Sequence, residues 1–427
     1  MDEQMIRKNN MKIYPIYKMF SWDLLFFYAI IFLFLTQVKG FTASQILISD
    51  AFYAVFRIFT QISSVKIIDF IGKKKSLLLG NIFVTISMVG VTIGNSLILL
   101  IFLYLIQAAG YSLKVACEPT MLSDSIPKTS SFTAIYTKID SKGSSKYYIF
   151  DAISSFSTGF LYVINPYIPL IMCCICCLIA TLISSTLNEP PNSSKSEINF
   201  GFISYYRDLN MNFKQILKSK RLKSLFIFAI FFNGLLSVFG TLRSSILVDI
   251  NVPNQYFGII VAFMQIIAAF SSKRQEWFNK KFKNRTLSWF SLSVVSALII
   301  TGLIVISNIN YFVSLCFVLL TIILVGIVKG PYYTLFQRYL NSFTNPDVNT
   351  KIFAIESIVG NVGRVSISLL TSFLLSLTTT SYVFVIIGCT FFIIFIFLLE
   401  YMKHKVGLKP EQYTKEDLAF TNEIELK

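Results

Sequence analysis

Apolar residues run almost unbroken for eighteen or more positions at a time along this chain, and short polar stretches separate the runs. A run of that length crosses the hydrocarbon core of a bilayer as a helix. The runs predict spans at 20–39, 46–68, 76–95, 97–122, 147–165 and 168–187, then 224–246, 254–272, 286–306, 311–337, 352–377 and 380–401. The twelve spans fall six and six around a polar stretch that opens Asn188-Glu189-Pro190-Pro191 and closes Lys218-Ser219-Lys220-Arg221-Leu222-Lys223. Pro, Ser and clustered charge of this kind mark a linker. The expected organisation is a six-helix bundle over 1–187, a linker over 188–223 with 203–217 as a candidate surface helix, a second bundle over 224–402, and a tail over 403–427. The fold class is all-α, membrane-embedded, with two pseudo-symmetric bundles.

Internal repetition supports that division. Lys146-Tyr147-Tyr148-Ile149-Phe150-Asp151 and Lys351-Ile352-Phe353-Ala354-Ile355-Glu356 open spans 5 and 11 with the same pattern, 205 residues apart. Each places a carboxylate just inside an apolar run. Lys39 near the outer end of span 1 has its counterpart in Arg243 of span 7, and Lys114 of span 4 in Lys329 of span 10. A repeat across an even number of helices keeps both halves parallel in topology, a known transporter architecture.

Composition agrees: 54% of the 427 residues are hydrophobic, only 14% are charged, and mean hydropathy is +0.65. The first apolar run lacks a small-residue cleavage site, so no cleavable signal peptide is expected. The net charge of +16 could suggest nucleic acid, but 31 of the 38 Lys and Arg lie in segments that share one side of the membrane. Those segments carry no aromatic-interleaved motif. By the positive-inside rule both termini and the basic loops are cytoplasmic, in a multi-pass protein of the plasma membrane. The seven cysteines all fall in apolar runs; Cys173-Cys174-Ile175-Cys176-Cys177 sits mid-helix without His or carboxylate and is read as small apolar filler, not a metal site.

The connection between spans 2 and 3 reads Asp69-Phe70-Ile71-Gly72-Lys73-Lys74-Lys75. It resembles the loop signature of the major facilitator superfamily, Gly-x-Leu-Ala-Asp-Arg-x-Gly-Arg-Lys, with Asp69, Gly72, Lys73 and Lys74 on matching positions. Val65 stands where the first Gly would be and Phe70 where the first Arg would be. Gly72 allows a tight turn, and Asp69 is expected to face the positive end of a neighbouring helix near Lys351. The second copy, 279–285, lacks both the acid and the Gly. The resemblance implies two bundles around a central cavity that opens alternately to each side, acting as a monomer without a cofactor. Two signatures of proton-coupled drug exporters in that family fit badly. Tyr104 replaces the Arg three residues before Gln107, Ala108 follows it, and 154–163 holds Gly159 but no Pro. Efflux of drug-like compounds remains the alternative to transport of a small metabolite.

An ionised group at a helix centre costs about 2.5–3.5 kcal/mol on insertion scales, so those present should be paired or face a wet cavity. Asp50, Arg57 and Gln61 recur on one face of span 2; Gln107, Tyr111, Lys114 and Glu118 do so in span 4. Span 10 carries Lys329, and span 11 carries Glu356, Asn361 and Arg364. By depth, Arg57 and Arg364 lie near the midplane and are the candidate substrate ligands with Gln61 and Asn361, favouring a solute with an anionic group. Lys114 with Glu118 or Asp151, and Lys329 with Glu356, are candidate ion pairs of an inner gate, with static helix pairing as the alternative. The only histidine, His404, is in the tail, so coupling to protons requires a carboxylate; Asp50 and Glu356 are the candidates. Asp23, at the start of span 1, is expected at the interface. Sodium coupling and uniport stay open. No Gly-x-x-x-x-Gly-Lys-Ser/Thr loop occurs, which disfavours an ATP-driven pump. His-poor spans argue against an enzyme, and a channel or receptor is the remaining class.

Overall fold

The computed structural model describes residues 3–127, 132–189, 220–282, 285–308, 310–343, 346–403 and 405–406. The candidate surface helix at 203–217 lies outside the described residues, as do the side chains of Asp69 and Lys351 and the whole of His404. Fourteen α-helices account for nearly all of what is described. They are α1 (Glu3–Ser21), α2 (Ile31–Leu33), α3 (Ala43–Ile71), α4 (Lys73–Ile93), α5 (Leu97–Ser125), α6 (Phe132–Ile164) and α7 (Ile168–Thr186). After the linker come α8 (Lys220–Asp249), α9 (Gln255–Lys273), α10 (Gln275–Phe282), α11 (Thr286–Ser307), α12 (Tyr311–Phe343), α13 (Pro346–Leu377) and α14 (Thr380–Lys403).

Local sequence explains the ends. Thr42 caps α3, accepting from the Gln45 amide at 3.2 Å while the Gln45 side chain accepts from the Thr42 amide at 2.9 Å. Gly72 separates α3 from α4 at φ +86°, a left-handed conformation that a Cβ would oppose. Asn308 ends α11 in the left-handed helical region, at φ +47° and ψ +36°, where its short polar side chain is tolerated.

Nine of the described helices are long and apolar enough to cross a membrane. The predicted spans that fall short are the first, second and fifth. Spans 2 and 5 become α3 and α6, which carry Asp50, Arg57 and Asp151. Span 1 is not a continuous helix. α1, which precedes it from Glu3, stops at Ser21; residues 22–30 are irregular, and α2 runs into a π-helical turn, Phe34–Val38. Phe26 sits at φ +59°, an outlier for a bulky residue.

The chain forms two compact units, Met1–Asn199 with Pro253–Ala262, and Phe200–Val252 with Phe263–Lys427. In the first, α4 packs on α5 and α7, α3 on α5, and α1 along α6 and α7. Tyr14, Tyr17, Leu77, Cys117, Met121 and Leu122 form a core under α1. In the second, α11 packs on α14 and α8 on α13. Its core is aromatic: Phe232 meets Tyr332 edge-on with centroids 4.6 Å apart, and Phe228 and Phe395 lie against the same pair.

Candidate functional site

The break in the first span is built around Asp23. Its Oδ1 accepts from the Leu24 amide at 2.9 Å, the Tyr28 hydroxyl at 2.7 Å and the Tyr111 hydroxyl at 3.1 Å. Tyr111 stands fourteen residues from either end of α5, so Asp23 lies level with the middle of that helix. Irregular backbone at this depth is tolerated where protein buries it, and Leu24, Leu25, Phe26 and Phe27 are all buried. A small cavity beside the break is lined on its polar side by Ser21, Asp23, Asn81, Tyr111, Lys114 and Cys177.

Lys114 is buried; its ammonium donates to the Ser21 carbonyl freed at the end of α1 and sits 4.9 Å from the centre of the Tyr111 ring. Glu118, one turn further along α5, lies within electrostatic reach of Lys114. It accepts from the Tyr17 hydroxyl at 2.8 Å and the Ser21 hydroxyl at 3.1 Å. Asn81 in turn donates to Tyr17 at 2.9 Å. Asp151 on α6 is buried, bonds with Ser155 and lies within electrostatic reach of Asp23. Tyr17, Asn81 and Asp23 gave no sequence signal of this role, because each is ordinary in a helix or at an interface.

Arg57 occupies the centre of α3, fourteen residues from each end. It is half-buried and reaches the Ser112 hydroxyl of α5 at 3.4 Å, while Thr60 and Ser112 share a 2.9 Å hydroxyl contact. Asp50 and Gln61 are half-buried on the same helix. In the second unit α13 carries Glu356, Asn361 and Arg364, all half-buried. Tyr333 of α12 lies within electrostatic reach of both Glu356 and Arg364. Lys329, four residues earlier on α12, is exposed.

The loop motif is tied down within the first unit. Lys73 pairs with Asp124 at 2.5 Å, and Lys74 donates to Asn188 Oδ1 at 2.7 Å. Glu189 accepts from the Lys74 amide at 2.9 Å, placing a carboxylate at the positive end of α4. The sequence pointed to Asp69 for that kind of role and missed Glu189, which it assigned to the linker. The amphipathic α1 closes the same face: Arg7 donates to the Asp124 carbonyl at 2.6 Å, Asn10 to the Asn188 carbonyl at 2.6 Å, and Lys18 pairs with Asp140 at 2.5 Å. Burial and the nearby carboxylates of Glu118 and Asp140 push the Tyr14 hydroxyl above its ordinary pKa.

Among the described residues no three His, Cys, Asp or Glu side chains gather as a metal site. The cysteines are free thiols, with Cys173, Cys176 and Cys177 turned into the first unit.

None of the curated proteins matches the chain in sequence. Solved structures match it in fold. The nucleoside transporter NupG superposes with a TM-score of 0.69 at 13% identity, covering 94% of this chain and 100% of its own. A D-xylose-proton symporter gives 0.68 at 12% identity, covering 92% and 97%. The peptide transporter POT gives 0.66 at 11% identity, covering 95% and 99%. The family model of the Major Facilitator Superfamily matches residues 18–340, well over half of the sequence. With the all-α, two-bundle fold of twelve membrane helices, that match shows that the chain belongs to the major facilitator superfamily of secondary transporters.

Proposed function

We propose that the chain moves a small polar organic solute bearing an anionic group, by alternating access and with a proton as coupling ion. It works as a monomer in the plasma membrane with both termini cytoplasmic. The observation that carries the reading is Arg57: a guanidinium at the centre of a membrane helix, half-buried, with one long hydrogen bond to Ser112. Its remaining donors suit a carboxylate or phosphate oxygen. Gln61 stands one turn away on the same helix. Arg364 and Asn361 are the second bundle's contribution, with Tyr333 beside Arg364. Asp50 and Glu356 are the coupling carboxylates. Lys114 with Glu118 or Asp151, and Lys329 with Glu356, act as cytoplasmic gate pairs. Proteins of the same fold carry nucleosides, D-xylose and peptides, which makes a polar metabolite a better first panel than hydrophobic drugs.

The test is uptake into proteoliposomes with an imposed pH gradient, against radiolabelled organic acids, nucleotides, sugars, nucleosides and peptides. The reading expects one anionic class to accumulate above its equilibrium level. Arg57→Gln and Arg364→Gln should abolish that accumulation while leaving expression intact. Wild-type rates in both variants overturn the site, and equilibration without accumulation under any gradient overturns the coupling.

A further inference from the structure

Arg243 of α8 is a buried cation that no described residue neutralises. Its side chain is 5% exposed; Nη1 meets only the Met264 sulfur of α9, at 3.7 Å, and Nε has no acceptor at all. A guanidinium offers five donors, and a charge buried without a partner is among the most destabilising features a fold can hold. Among the described residues no carboxylate pairs with it, and Asp249, the one acid of α8, is hydrogen-bonded to Thr380.

The pseudo-symmetric position in the first unit shows what satisfaction looks like. There the Lys39 ammonium donates to the Thr92 carbonyl at 2.8 Å, the Ile93 carbonyl at 3.3 Å and Asn95 Oδ1 at 2.8 Å. Arg243 has no such set. One turn before it on the same face stands Gly240, where a Cβ would meet nothing within 4 Å. Helical side chains lean toward the helix N-terminus, so the guanidinium leans toward that open space. Met264, a flexible thioether, is the group that Nη1 reaches.

The geometry points to an oxyanion-binding site at Arg243, taking a carboxylate or phosphate group into the space over Gly240. It does not depend on what the chain transports. The guanidinium fork matches the two oxygens of such a group, which a point charge like Lys39 would not.

The test is the thermal midpoint of the purified chain in phosphatidylcholine nanodiscs. It is titrated with sodium acetate and with sodium phosphate, holding ionic strength constant with sodium chloride. A ligand that binds only the folded state raises the midpoint in a saturable way. That rise is expected in the wild type and lost in Arg243→Met. A parallel arm replaces part of the lipid with phosphatidylglycerol and omits acetate and phosphate; a rise there supports the same site with a lipid headgroup as occupant. Gly240→Leu fills the space while keeping the Arg243 side chain and should also abolish the rise, so it decides the matter if Arg243→Met does not fold. No rise in either arm, or an equal rise in wild type and variants, overturns the site. Accumulation in vesicles can succeed or fail without bearing on this result.

Discussion

The Tyr111 hydroxyl, at the middle of α5, donates to the Asp23 carboxylate at 3.1 Å and fixes the irregular segment of the first span at that depth. The same oxygen accepts from Leu24 and Tyr28, on either side of Phe26 and its left-handed backbone. Hydrogen bonds to a charged group contribute about 1.5–3 kcal/mol each. Asp23→Ala should therefore lower the thermal midpoint well below that of Tyr111→Phe, which removes one bond of the three. Equal midpoints would mean that the bonds within the segment contribute nothing.

The turn at Gly72 gives a second prediction. A side chain there meets both a φ of +86° and the Glu189 carboxylate, 3.3 Å from where its Cβ would lie. With ψ at +161° this is backbone open essentially only to glycine, and it costs a residue with a Cβ about 1–3 kcal/mol. Gly72→Ala should reduce thermal stability by about that much. Glu189→Gln should cost less, since it keeps the acceptor on the Lys74 amide and loses only the charge at the helix end.

In the second unit, two glycines of α13 three residues apart should behave oppositely. A Cβ on Gly363 would fall 2.1 Å from the Ile230 carbonyl oxygen of α8, whereas one on Gly360 meets only the Asn233 amide at 3.9 Å. The close approach is mutual, because a Cβ on Gly234 of α8 would fall 2.7 Å from the Gly363 carbonyl oxygen. Gly363→Ala should abolish a monodisperse elution peak, and Gly360→Ala should preserve it. A normal peak from Gly363→Ala would show that the α8–α13 crossing can open.

How much of this was legible beforehand depended on the length of the signal. Apolar runs of membrane length located most of the spans, since the bilayer imposes that length. They failed at span 1: Leu24 to Ile31 is as apolar as any helix and holds no Gly or Pro, so nothing local announces the break. Asp23 is read there as an interfacial residue, and its hydrogen-bond partner Tyr111 lies 88 residues away. Polar residues at helical spacing found Lys114 and Glu118 in α5, but not their partners Ser21 and Tyr17 on α1. Partner choice is set by tertiary contact, which spacing within one helix does not encode. Arg243 shows the same limit from the other side. Sequence symmetry paired it with Lys39, yet one cation is saturated by oxygens and the other is not.

Lys114 and Glu118 bear on whether the α5 charges are a moving gate or static helix pairing. The buried ammonium closes the α1 terminus at Ser21, and the carboxylate one turn away holds Tyr17 and Ser21. Glu118 lies within electrostatic reach of the buried Lys114, so removing it leaves that ammonium less compensated. Lys114→Met and Glu118→Leu should each be strongly destabilising, and the double variant less so than the sum of the two. A thermal-midpoint cycle in detergent measures that coupling, and simple additivity would sink the pairing. Exchanging the two charges, Lys114→Glu with Glu118→Lys, separates the roles once a transported solute is in hand. A static pair predicts recovered stability with an unchanged transport rate. A gate predicts recovered stability with an altered rate, because the α1 end would then be released by a different group.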